Sequence, residues 1–260
     1  MTETVQTPPA EAPRRPVNAV GAGLLAGWLG LAAALQTWPQ AAGPLTFTFV
    51  MLGWVLSVML HEFAHAAVGY LGGDVTVAEK GYLAFDPRRY GDLGTSLVLP
   101  LLALLLGGVG FPGGAVYLRN DLMRGRGWRS AAALAGPAAT LMLLIVLASA
   151  LRIWTAAGAQ GALFPALTML AFLQAMALIL NILPVPGLDG FNALRPFLPP
   201  ELAPRLRKAE GLAFGLLFLA LVLVPGAGAL LFGTAARLGM AFGLDPAALA
   251  AGWRAFHFWR

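Results

Sequence analysis

Apolar stretches at 17–38, 45–71, 131–151, 163–183 and 209–224, with a further one at 227–243, dominate this chain and leave it few ways to fold. Inside hydrocarbon every backbone N–H and C=O needs a partner within the protein, which a helix supplies from its own residues. With 58% hydrophobic residues, 11% charged ones and a mean hydropathy of +0.75, a water-soluble domain of this length could not hide its apolar surface. The expected fold class is therefore an all-α polytopic membrane protein with about six transmembrane helices. Residues 1–16, rich in Pro, Thr and Glu and ending near Arg14 and Arg15, read as a disordered tail, and 17–260 as one membrane domain.

The net charge of +5 does not point to nucleic acid, because the arginines cluster in short loops between the apolar stretches, where they act as a topology signal. The stretch 95–117 is apolar but broken by Pro100, Gly107, Gly108, Gly110, Pro112, Gly113 and Gly114, and its path decides the topology. If it crosses the membrane, Arg119, Arg124, Arg126 and Arg129 are exported. If it enters and leaves on one side, the loops 72–94, 118–130 and 190–208 share the cytoplasmic face and collect eleven of the seventeen Lys and Arg. The second arrangement obeys the positive-inside rule, so 95–117 is expected to be re-entrant, with the N-terminus cytoplasmic in the cell (plasma) membrane. The mixture of aromatics and arginine in 253–260 suggests an interfacial segment, with His257 at headgroup level.

His61-Glu62-Phe63-Ala64-His65 lies near the end of the stretch 45–71, and the chain has only three histidines. Four residues apart on a helix, His61 and His65 share a face and can offer two nitrogens to one Zn²⁺. Glu62 on the next residue can work on a water there. An acid and two imidazoles are costly in hydrocarbon unless partnered, about 2.5–3.5 kcal/mol for a central charge, which favours a functional over an incidental origin. Cysteine is absent, so any zinc depends on His and carboxylate.

A hydrolytic zinc site has three protein ligands and an open position. Asp74, Glu79 and Asp86 lie in the charged loop 72–94, where solvation accounts for them. Asp189 instead follows the apolar stretch 163–183 within Asn181-Ile182-Leu183-Pro184-Val185-Pro186-Gly187-Leu188-Asp189-Gly190. Pro184 and Pro186 end the helix there and free carbonyls and a carboxylate to face a cavity.

The His61–His65 motif together with Asn-x-x-Pro-x-x-x-Leu-Asp-Gly over 181–190, and Ala135-Gly136-Pro137 between them, resembles the site-2 protease family of intramembrane zinc metalloproteases over residues 45–195. The resemblance implies a three-helix catalytic core from 45–71, 131–151 and 163–183. It also implies zinc held by His61, His65 and Asp189, Glu62 as catalytic acid/base, Asn181 beside the site, and transmembrane proteins as substrates. Thr140 departs from the family, which often has Asn three positions after the Gly-Pro proline.

Zinc polarises a carbonyl and lowers the pKa of water to about 7, while Glu62 can take a proton and return it to the leaving amine. Asn181 is available either as an oxyanion donor or as a helix-end amide bonded to freed backbone. Substrate helices must unwind to expose a peptide bond, and the chain around 113–118, expected to be extended near the site, could pair with an unwound strand. Two rival functions fit less well. A metal or proton transporter calls for polar groups along a route and often for repeated halves, neither of which is seen. A proteolytically silent scaffold has no need of Glu62. No sequence feature specifies an oligomeric state.

Overall fold

The computed structural model describes residues 19–90, 116–158, 161–199 and 201–259. It is 80% helical, and no strand occurs among the described residues. The chain is an integral membrane protein. Four helices are long and apolar enough to span a bilayer: α1 (Ala19–Thr37), α2 (Ala42–Gly72), then, after the single turn α3 (Thr76–Glu79), α4 (Arg126–Ala156) and α5 (Leu163–Ile182). Beyond the short α6 (Asp189–Leu194), α7 (Ala203–Leu223) and α8 (Ala227–Ala241) pass that test only as a pair bent by 91° at a break whose Gly226 has φ +84°. The spans expected at 209–224 and 227–243 correspond to this bent pair, and the described residues supply four or five spans by length and composition. α9 (Pro246–Phe256) closes the chain, started by Pro at its N-terminus and capped by Asp245, whose carboxylate accepts the Ala248 N–H at 2.6 Å.

α5 is apolar on every face and correspondingly sits in the middle, with most of its residues buried. It packs on α2, α4, α8 and α9, and the main core cluster runs through Phe49, Trp54, Leu144, Leu173, Leu180 and Phe256. α2 presents to this core a strip spaced every four residues: Gly53, Ser57, His61, His65 and Gly69, all buried. Gly53 lets Leu170 and Trp28 close on the helix, since a Cβ there would meet both at 2.7 Å. Ser57 donates to the Gly53 carbonyl at 2.7 Å and accepts from the fully buried Gln174 of α5 at 3.0 Å, so the polar groups at mid-helix satisfy each other.

The described residues after α2, 73–90, form a run of tight turns. Asp74 and Asp86 are not solvated as expected; both are buried. Asp74 accepts the Thr76 N–H and hydroxyl and, at 2.6 Å, the Arg119 N–H. Asp86 is gripped at 2.8 Å by Arg88, which holds its carboxyl below the ordinary range against the cost of burial. His257 in the expected interfacial segment is also buried. It lies against Trp253, with Nδ1 3.0 Å from that residue's carbonyl, because α9 packs onto α2 and α5. The tail 1–16 and the stretch 95–115 of the expected re-entrant element lie outside the described residues.

Candidate metal centre

Three elements far apart in sequence meet at one point. On α2, His61 and His65 turn their Nε2 atoms toward each other at 3.0 Å. Asp189, at the start of α6, places one carboxylate oxygen 3.1 Å from His61 Nε2 and the other 3.4 Å from His65 Nε2. Among the described residues this is the one group of three or more His, Cys, Asp or Glu whose ligand atoms converge.

The outer nitrogens of the rings fix their orientation. His65 Nδ1 lies 2.7 Å from the Ala132 carbonyl oxygen, which can only accept, so Nδ1 carries the hydrogen and Nε2 keeps its lone pair for the site. His61 Nδ1 lies 2.9 Å from the Thr140 hydroxyl and can donate to it in the same way. Ala132, Gly136 and Thr140 share a face of α4 at four-residue spacing, and all three are buried. The first holds His65, the last holds His61, and between them Gly136 has no side chain where the two imidazoles meet. A Cβ on Gly136 would touch both Nε2 atoms and lie 2.7 Å from His61 Cδ2.

Asp189 reaches the site through the turn after α5. That helix ends at Ile182; Leu183 turns extended, Pro184 and Pro186 remove backbone donors, and Gly187 takes φ +98°. The turn closes with the Leu188 N–H on the Val185 carbonyl at 3.0 Å. Gly190 is packed so tightly on the Ile182 carbonyl that no side chain fits. The sequence therefore sends the chain back against the end of α5 and sets Asp189 beside α2.

The residues fit zinc. Two imidazole nitrogens and a carboxylate are a usual donor set for it, and ligands about 2.0–2.2 Å from a tetrahedral ion stand roughly 3.3–3.5 Å from one another, close to the separations found. The pocket that a Cβ of Gly136 would fill is shaped for an ion and not for a side chain.

Glu62 is buried and, with His65 and Asp189, lines a cleft of about 650 Å³. Its Oε2 accepts the Val116 N–H at 3.1 Å. Residues 116–119 are held along the cleft at two further points, by Lys80 donating to the Tyr117 carbonyl at 2.8 Å and by Asp74 accepting the Arg119 N–H. Expected only to be solvated, Asp74 is thus a fastening for the chain that passes Glu62. Its signal in sequence was slight, an Asp two residues before a Thr, the pattern of a local side-chain turn. Glu79 is not part of the converging ligand group. Asn181 is buried at the end of α5 and lines, with His61, Thr140, Ser57 and Gln174, a separate cavity of about 20 Å³ whose walls do not include Glu62, His65 or Asp189.

No family model matches the chain, and no solved structure does. Among curated proteins it is 42% identical over 214 residues to "Putative zinc metalloprotease Rip2" of Mycobacterium tuberculosis, covering 82% of this chain and 81% of that protein. The protein of the same name from Mycolicibacterium smegmatis is 43% identical over 180 residues, 69% of this chain and 68% of that protein. "Putative zinc metalloprotease YwhC" of Bacillus subtilis is 28% identical over 184 residues, 68% of this chain and 81% of that protein. Identity of this extent, in proteins named for the same metal and the same chemistry that the His61–His65–Asp189 cluster suits, shows that the chain is a zinc metalloprotease belonging to the site-2 protease family.

Proposed function

We propose that the protein is an intramembrane endopeptidase that cuts transmembrane segments of other membrane proteins, with His61, His65 and Asp189 holding zinc and Glu62 as acid/base. The observation that carries this reading is the position of the acid. Glu62 is buried on a helix long and apolar enough to span a membrane, next to the first candidate ligand, and it lines a cleft of about 650 Å³. A transporter would call for polar groups along a route, and a silent scaffold would not need to retain that carboxylate.

Bound there, zinc supplies Lewis acidity toward a carbonyl oxygen and toward water. The residues do the rest. Ala132 and Thr140 keep the imidazoles pointed inward, a service whose loss costs about 10–100-fold in metal affinity in other sites. Glu62 accepts the proton of the attacking water and returns it to the leaving nitrogen. Its bond to the Val116 N–H orients the carboxylate and ties it to the chain lining the cleft. Asn181 shares the small cavity with Thr140 and is not among the cleft residues, so its amide fits a helix-end and cavity-lining role better than a role in the cleft.

The intramembrane assignment is tested with wild-type protein and a single-span substrate whose span contains Gly or Pro, both in vesicles, with products located by mass. Cuts inside the span are expected. Cuts confined to residues outside the bilayer would overturn the assignment.

The N-terminus and the loop 118–130 are proposed to face the cytoplasm. Because cysteine is absent, single cysteines can be introduced freely. An impermeant thiol reagent added outside intact cells should leave Arg124→Cys unlabelled until the membrane is opened. Labelling of intact cells would reverse the topology of this loop and rule out a re-entrant 95–117.

A further inference from the structure

The arginines near the cleft divide into two sets. Arg119 is held by Asp121 at 2.7 Å, Arg124 donates to the Leu71 carbonyl and lies over Trp128, and Arg195 is paired with Glu210 at 3.0 Å. Arg126 and Arg129 are different: among the described residues neither has an ion-pair partner, and both line the cleft that contains Glu62 and Asp189. Among the described residues, Nε of Arg129 is buried without a hydrogen-bond partner, an arrangement that a protein seldom leaves uncompensated.

A topology signal alone would be served by arginines anywhere on the loop, and it does not require two of them one turn apart facing the cleft. Both also lie in the first turn of α4, where the helix dipole already makes the potential positive and no acidic residue offsets it. When zinc is bound, its charge balances Glu62 and Asp189, and Glu210 balances Arg195. The two charges left over on the cleft wall are those of Arg126 and Arg129.

We infer that the cleft receives a substrate segment bearing acidic side chains, and that Arg126 and Arg129 bind it. This rests on the protease reading above and adds a substrate class to it. Arginine suits the task because its planar fork meets a carboxylate with two hydrogen bonds. Arg126 is exposed and Arg129 half-buried, so it is chiefly the pair made by Arg129 that gains over a fully exposed one.

The test uses zinc-loaded protein in phosphatidylcholine vesicles, which carry no net headgroup charge, and single-span substrates identical within the span. An Asp-Asp, Ser-Ser or Lys-Lys pair is placed at one flank of the span and then at the other. At one flank, wild type should show a KM for Asp-Asp about tenfold below that for Lys-Lys, the size expected of one exposed and one partly shielded ion pair, with little change in kcat. The double variant Arg126→Gln/Arg129→Gln should level the preference and Arg126→Glu/Arg129→Glu should reverse it, with zinc content confirming the fold; if the second loses zinc, the first decides. Equal KM values at both flanks in wild type, or an undiminished preference in a zinc-loaded variant, would overturn the inference while leaving the protease intact. If zinc-loaded wild type cleaves none of the substrates, the protease reading fails first. Binding of a fluorescent Asp-rich peptide against its Ser counterpart to zinc-loaded Glu62→Gln then decides the arginine pair, and equal binding would end it.

Discussion

Gly136→Ala is expected to yield a protein that folds, inserts and contains almost no zinc. The added methyl would occupy the point where the two Nε2 atoms of His61 and His65 meet. Neither ring can retreat easily, since His65 is fastened to the Ala132 carbonyl and His61 to Thr140. Displacing the ligands themselves should cost at least as much as losing the groups that orient them, about a hundredfold or more in zinc affinity. The same substitution removes a glycine from a helix interior, which by itself favours the helix by about 1 kcal/mol. Loss of metal with undiminished helicity is therefore the signature of a blocked site and not of a damaged fold. Metal analysis of purified protein, with circular dichroism on the same sample, checks it. Asp189→Ala should lose zinc as well, through a missing ligand, whereas full zinc retention in Gly136→Ala would mean that the ion sits elsewhere.

How much of this was legible beforehand depended on how local each signal was. The helices α1, α2, α4 and α5 were visible because hydrocarbon leaves a long apolar run one conformation, and observed bounds such as Leu163–Ile182 fall close to the expected 163–183. His61, Glu62 and His65 were visible because their relation is a spacing on one helix. Asp189 lies 128 residues from His61, and it was found through the proline turn that carries it. What sequence did not show was contact across helices. The acceptor for His65 is a backbone carbonyl, which leaves no mark in the amino-acid code. Thr140 was noted as a departure from the family, yet its bond to His61 exists only once α4 packs on α2. Asp74 and Asp86 were misjudged for a related reason. Charge in a loop usually means solvent, and their burial comes from turns and partners that local composition does not encode. The burial of His257 was not legible either, because the docking of α9 onto α5 has no local signal.

Glu62→Gln tests the central claim most directly, because it separates proton transfer from everything else the residue does. Glutamine has nearly the same size, and its side-chain oxygen can still accept the Val116 N–H that Glu62 accepts at 3.1 Å. Packing and the approach of 116–119 should survive. Glu62 is not in the converging ligand group, so zinc should survive too. What an amide cannot do is take a proton from water and give it back to the leaving nitrogen, and losing such a group costs about 10²–10⁴-fold in rate. The decisive measurement is zinc per chain and the rate of cleavage within the span of a Gly- or Pro-containing substrate, for wild type and Glu62→Gln side by side. Close to one zinc in each, with cleavage by wild type reduced at least about a hundredfold in the variant, is the predicted result. Equal cleavage by the two zinc-loaded proteins would contradict it.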